Sequence, residues 1–255
     1  MYDLHAHILP SLDDGARTEA EALAMASVAA RSGTTLIAAT PHMKDVNELS
    51  SPGRAIELGS HLDSMLRDRG IPLGLVMGME NHVVPGLADM FADGRALPIG
   101  NSRYALIEMP FFGHPDYLES TLSRVQSLGV TPVLAHPERI EVVQRRPDIL
   151  VDFIEEGMLS QITAGSLLGH FGASVRRFTE DLVRSGLAHV MASDCHRPEG
   201  PRAPALGPGL AAAAKLIGAE EAERLVSEVP RSIVEDREVI VGRPRPVEPM
   251  RAEVW

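Results

Sequence analysis

Short apolar runs recur along the chain, separated by longer stretches in which apolar residues return every three or four positions. The runs are Tyr2–His5, 35–40 (TLIAAT), 73–78 (LGLVMG), 104–107 (YALI), 131–135 (TPVLA), 159–163 (LSQIT) and 188–193 (AHVMAS). They are rich in Val, Ile and Leu and too short for helices, so they read as strands buried on both faces. Thr18 with Glu21 is a capping-box start for a helix to about Arg31, with Gly33 placed to stop it. Asp116 with Glu119 predicts a second such start, for a helix ending near Gly129. Further helices are expected over about 54–69, 147–156, 174–185, 208–217 and 219–228. Alternating strands and helices predict βα units around a parallel sheet, hence an α/β fold. Residues 43–53 and 197–208 read as loops. The tail from Val241, with its alternating Pro and Arg, reads as extended chain, which leaves 1–240 as a single domain and 241–255 as a C-terminal tail.

Six of the seven runs lead directly into residues able to bind a metal. The first delivers His5 and His7, the second His42, the third Glu80, the fourth Glu108, the fifth His136 and the last Asp194 and His196. Only LSQIT brings no clear ligand. In barrels of parallel strands the C-terminal strand ends open onto one face, where active sites sit. A carboxylate closing an apolar strand is costly to bury unless it is paired or coordinates a metal. One such residue has ordinary explanations, but so many at strand ends do not. Alternate residues of a strand face opposite ways, so the chain must bend at His5-Ala6-His7 for both imidazoles to reach one ion. Asp13-Asp14-Gly15 has the form of a turn close by.

Imidazole and carboxylate without thiolate suits Zn, Mn or Fe(II). A pair of such ions can bridge a hydroxide and clamp an in-line phosphoryl displacement, so the expected chemistry is metal-dependent phosphoester hydrolysis. Arg139, three residues past His136, is the leading cation for phosphate because its planar fork matches two oxygens at once. Arg202 and Arg197 compete for a second such role, with Arg202 preferred. Cys195 and Arg202 enclose six residues, two of them prolines that lack N–H donors, so they do not form the five-residue phosphate loop of a thiol phosphatase.

The chain has 255 residues, 44% of them apolar, enough for one large core. Its formal charge of -11 argues against nucleic-acid backbones as partners. No run is long enough to span a bilayer, so direct membrane insertion is not expected. The single cysteine rules out an internal disulfide framework and predicts a reducing, cytoplasmic setting.

DLHAH at 3–7, TPH at 40–42, Glu80, Glu108, AHPER at 135–139 and SDCH at 193–196 resemble the polymerase and histidinol phosphatase (PHP) superfamily. HILPSLDDGA, GMEN, NSRYALIEMP, TPVLAHPERI and HVMASDCH are similar, in order, to the bacterial metal-dependent protein-tyrosine phosphatases of capsule and exopolysaccharide gene clusters, from residue 1 to about 235. The resemblance implies a distorted (β/α)7 barrel holding three divalent ions. One would take His5, His7, Glu80 and Asp194. A second would share Glu80 and add Glu108 and His136, and a third would take Asp14, His42 and His196. Asp14 is preferred to Asp13 because the family's ligand directly precedes the glycine. Arg139 falls on a phosphate-binding arginine, and Arg202 on another if its loop carries one inserted residue. The implied substrate is a phosphotyrosine protein, the tail of a bacterial tyrosine autokinase. The alternatives are a small phosphomonoester such as histidinol phosphate and, in a different class, a non-catalytic regulator that binds the kinase.

Overall fold

Each apolar run forms a strand in the computed structural model, which describes residues 1–250. The strands are β1 (Tyr2–Ala6), β2 (Leu36–Ala39), β3 (Gly74–Met77), β4 (Asn81–His82), β5 (Tyr104–Glu108), β6 (Thr131–Ala135), β7 (Leu159–Thr163) and β8 (Val190–Ala192). All ladders are parallel, in the orders β1-β2-β3 and β4-β5-β6-β7-β8. β3 and β4 are one strand position broken at Gly78–Glu80, and the broken segment is still tied to its neighbour by a bridge between His42 and Glu80. β8 returns to β1 through an Ala6–Cys195 bridge, with Asp194 N–H donating to His5 O and His7 N–H to Cys195 O, both at 2.9 Å. Seven strand positions thus close into a distorted (β/α)7 barrel whose final seam is a few bonds rather than a full ladder.

Two apolar layers follow from the strand period of two. Leu4, Ala38, Leu106, Val133, Leu159 and Val190 fill the barrel interior, which Ile99 and Ile233 also enter. Ile37, Ile107, Leu134, Ile162 and Met191 face outward, against the surrounding helices. Helix Glu19–Arg31 starts as expected: Thr18 accepts from Glu21 N–H, and the Glu21 carboxylate reaches back to Arg17 N–H at 2.8 Å. The helices at Pro52–Asp68, Asp148–Glu155, Ala173–Ser185 and Leu206–Ile217 lie within two residues of their expected bounds.

Several expectations need correction. Residues 43–49 are helical rather than loop, because Met43 and Val46 are both buried on one face and Asn47 ties that turn to Met43 O and Arg95 O. Asp116 does not cap a helix. That helix runs Leu118–Ser127 after Tyr117, while Glu119 pairs with His114 at 2.7 Å instead of closing a capping box. The segment expected as helix 219–228 is α-helical over Ala219–Glu223, continues as a π-helical turn at Arg224–Glu228, and runs on to Val234. Residues 241–250 have no regular secondary structure, and the chain is tied to the body by Arg245 N–H to Ser185 O and Met250 N–H to Gln144 O. The last part of the expected tail, 251–255, lies outside the described residues.

Candidate metal centre

The C-terminal strand ends and the Asp13-Asp14 turn bring the candidate ligands into one cluster, buried or half-buried except for the exposed Asp14. β1 shifts register between Asp3 and Ala6, the bend that lets His5 and His7 face the same space. Their Nε2 atoms lie 3.1 Å apart, and the two Glu80 oxygens lie 3.3 Å from one or the other. Asp194 Oδ1 lies 3.6 Å from both rings. His42 Nδ1 and His136 Nε2 each approach Glu80 to 2.9 Å, with Glu108 Oε1 3.6 Å from His136. Asp14 Oδ1 is 3.0 Å from His196 Nε2 and 3.5 Å from His42 Nε2. Three groups have ligand atoms close enough to share an ion: His7, Asp14, His42 and His196; His5, His7 and Glu80; His42, Glu80 and Glu108. The grouping differs from the implied sets in placing His7 and His42 at the boundaries between neighbouring groups. His136 and Asp194 take left-handed φ values of +34° and +51°, strain of the kind that collects at functional sites.

Surrounding residues decide which ring nitrogens carry protons. Gln161 Nε2 donates to Ile162 O, so its Oε1 accepts from His5 Nδ1 at 2.8 Å. Asp13 Oδ2 accepts from His7 Nδ1 at 2.7 Å. With Nδ1 committed in this way, Nε2 is the nitrogen each ring can offer to a cation, and the two face each other and the Glu80 carboxylate. His196 Nδ1 lies 3.1 Å from Asp194 O, and its Nε2 lies 3.0 Å from Asp14 Oδ1 and 2.9 Å from Arg202 Nη2. Acceptors crowded this closely repel unless positive charge lies between them, and divalent cations fit that requirement. Gly15 permits the approach of the Asp13-Asp14 turn, since a Cβ there would fall 2.0 Å from His7 O.

Without a metal, protons on these rings supply that positive charge. Burial lowers the His7 pKa, but Asp13 and Glu80 more than reverse this and raise it to about 10. His42 is likewise lowered by burial and raised by Asp14 and Glu80, to about 11. Glu80 is pushed up by burial, yet the His5, His136 and His42 rings hold it well below its ordinary value. Hydrogen bonds from His196 and His42 lower Asp14. Glu108 is raised by burial and by the Glu80 charge. A site that stabilises protons on buried imidazoles also suits metal cations.

Arg139 and Arg202 meet this cluster from the same carboxylate. Arg139 Nη1 donates to Asp194 Oδ2 at 2.7 Å and Arg202 Nη2 to Asp194 Oδ1 at 2.9 Å. The Arg139 guanidinium lies between Phe111 and Phe171, 5.0 and 4.5 Å from their ring centres. Arg197 instead donates to the backbone carbonyls of Asp14, Gly15 and His196. That separates the two loop arginines: Arg202 faces the candidate ligands and Arg197 braces the backbone. Cys195 is fully buried and burial pushes its thiol upward. A cleft of about 380 Å³ beside His42 and Glu108 is walled by Val83, Met109, Pro110 and Phe111.

Three residues that support the site had no distinctive signal in the sequence. Asp13 orients His7 and also accepts from His42 N–H at 3.1 Å. Gln161 belongs to β7, the strand without a ligand, and holds His5 from there. Glu138, fully buried, accepts from Thr163 N–H and the Ser166 hydroxyl at 2.8 and 2.7 Å and pins the turn carrying His136 and Arg139. The Asp-Asp-Gly turn and the His-Pro-Glu-Arg run were the available hints for Asp13 and Glu138.

Residues 1–235 match the family described as capsular polysaccharide synthesis, CpsB/CapC. The chain belongs to the CpsB/CapC family. It is 38% identical over 196 residues to tyrosine-protein phosphatase YwqE of Bacillus subtilis, covering 77% of each chain. It is 33% identical over 202 residues to the putative tyrosine-protein phosphatase CapC of Staphylococcus aureus, again covering 77% of each. A solved chain from work on B. subtilis YwqE and Streptococcus pneumoniae CpsB, described as unique metal-dependent tyrosine phosphatases, superposes with a TM-score of 0.90 at 33% identity, over 97% of this chain and 100% of that one. This CpsB/CapC chain therefore shares its whole barrel with metal-dependent relatives. No helix among its described residues is long and apolar enough to cross a membrane.

Proposed function

We propose that this chain is a metal-dependent phosphomonoester hydrolase acting on phosphotyrosine in a protein, with the tail of a bacterial tyrosine autokinase as its partner and the cytoplasm as its setting. The observation that carries the reading is the set of oriented ring nitrogens: His5 and His7 Nε2 face one another 3.1 Å apart with the Glu80 carboxylate against both. His5, His7, Asp14, His42, Glu80, Glu108, His136, Asp194 and His196 would hold three divalent ions, with Mn expected and Fe or Zn also compatible. When bound, such ions supply charge against the phosphoryl oxygens and an acidified water to attack phosphorus.

The chain's own residues do the rest. Arg139 and Arg202, converging on Asp194, offer N–H donors to the non-bridging phosphoryl oxygens, where charge shifts during in-line displacement. The cleft walled by Val83, Met109, Pro110 and Phe111 receives the aryl ring. Asp14 stays anionic at neutral pH beside His42 and His196, which suits a ligand or proton acceptor rather than a proton donor. Cys195 takes no part, since its thiol is buried and un-ionised.

The test combines stability with a substrate panel. Mn at a hundred times its dissociation constant should stabilise the chelated protein by about 2.7 kcal/mol, roughly 5–10 °C for a chain of this size. Hydrolysis of a phosphotyrosyl peptide should vanish on chelation, return with Mn and exceed that of histidinol phosphate. Full activity after confirmed metal loss would overturn the mechanism. A preference for histidinol phosphate would overturn the substrate.

A further inference from the structure

A cavity of about 560 Å³, larger than the cleft beside Phe111, lies where β8 begins. His189 lines it just before Val190, while Asp194 and the metal cluster follow the far end of the same strand. The two sites therefore occupy opposite ends of the barrel. Its volume falls in the range of small-molecule sites.

Its polar side chains are mostly donors. His189 is 7% exposed, and its Nδ1 accepts from Ser160 N–H at 3.1 Å. Ser160 Oγ gives its own proton to Leu187 O, so the imidazole proton is on Nε2. That buried N–H has no hydrogen-bond partner. Burial holds the ring neutral, with its pKa lowered to about 4. Arg224 Nε, at the start of the π-helical turn, is also buried without a hydrogen bond, 3.4 Å from a Glu228 oxygen. Turns of this kind recur at functional sites.

The charge around the cavity opposes that of the chain. Arg184, Arg224, Arg243 and Arg245 line it against a single carboxylate, Glu221, although the whole chain carries -11. Arg184 pairs with Glu180 and Asp181, and Arg224 with Glu221 and Glu228. Arg243 and Arg245 have no carboxylate partner among the described residues. Arg245 docks this stretch of chain through its N–H to Ser185 O and its Nη2 to Arg184 O, both 2.8 Å, so the segment forms a wall of the cavity. Apolar surface from Leu216, Leu225 and Val241 makes up much of the remainder.

We propose that this cavity is a second ligand site, remote from the metals, for a small organic anion. Its carboxylate or phosphate would meet His189 Nε2–H and the Arg243 and Arg245 guanidinium groups, and its apolar body would lie on Leu216, Leu225 and Val241. An anion supplies the acceptors that the buried donors lack, and an apolar body matches the aliphatic wall.

The test uses the Mn-loaded full chain and 8-anilinonaphthalene-1-sulfonate, a probe with one anionic group on an apolar frame. Fluorescence titration should show saturable binding at one site. The double variant Arg243→Gln/Arg245→Gln should weaken it at least tenfold while phosphotyrosyl hydrolysis is unchanged. Arg139→Ala should bind the probe as wild type does. His189→Phe should weaken binding as well, but that ring is buried, so the exposed tail arginines provide the decisive variant. Unaltered affinity in the arginine double variant, no saturable binding, or binding lost with Arg139→Ala would each overturn the proposal.

Discussion

Replacing Arg139 by alanine separates a phosphate-gripping role from a structural one. The side chain is 16% exposed, and its guanidinium donates to Asp194 Oδ2 at 2.7 Å and lies against Phe111 and Phe171. Two cation–π contacts in a partly desolvated position contribute about 0.5–1.5 kcal/mol each. Asp194 keeps Arg202 at 2.9 Å, so truncation does not leave its carboxylate without a cation. The stability loss should therefore be about 1–3 kcal/mol, roughly 3–10 °C in a chain of this size. Losing one electrostatic stabiliser of the transition state costs far more in rate: about 10²-fold or more in kcat/KM on a phosphotyrosyl peptide. Arg139→Lys should recover only part of this, since ammonium lacks the planar fork. Phe171→Leu, which keeps the guanidinium and its Asp194 bond but removes one flanking ring, should cost only a few-fold. Metal content, measured on the same preparations, should be unchanged in all three. An Arg139→Ala enzyme with bound metal and wild-type kcat/KM would refute the reasoning and transfer the role to Arg202.

Cys195→Ser should leave turnover within a few-fold of wild type, whereas a thiol mechanism requires near-total loss. Gly15→Ala puts a Cβ 2.0 Å from His7 O, so it should displace the Asp13-Asp14 turn and lower metal content and activity together; retention of both would show that the turn can yield. His189 has a folded pKa of about 4 against 6.5 when unfolded, so between those values the unfolded chain binds the extra proton and stability falls as pH falls. The loss should total about 3 kcal/mol, complete below pH 4 and absent above pH 6.5. Asp3, raised by burial to about 6, acts in the opposite direction over an overlapping window. The readout is therefore the difference in urea midpoint between wild type and His189→Gln across that range, and parallel profiles would contradict the assignment.

Much of the centre was legible in the sequence because its evidence is local. An apolar run that ends on Glu80, Glu108 or Asp194 contains its own contradiction, a charge where burial is expected, and several such runs in one chain imply a shared site. The parallel α/β layout was equally readable, since strand and helix periods are properties of neighbouring residues, while the barrel was what the family resemblance implied. Tertiary structure decided how the candidate ligands are aimed. Gln161 holds His5 from 156 positions away, and nothing in LSQIT signals that task. Arg197 and Arg202 share one loop and one chemistry, and only the carbonyls of Asp14 and Gly15 draw the first away from the ligands. Residues 43–49 looked like a loop by composition and became helix because Met43 and Val46 found a buried face. Sequence determined which groups must be buried together, because burial preference belongs to each residue. The fold alone determined which lone pair faces which, because hydrogen-bond geometry depends on atoms that meet only when the barrel closes.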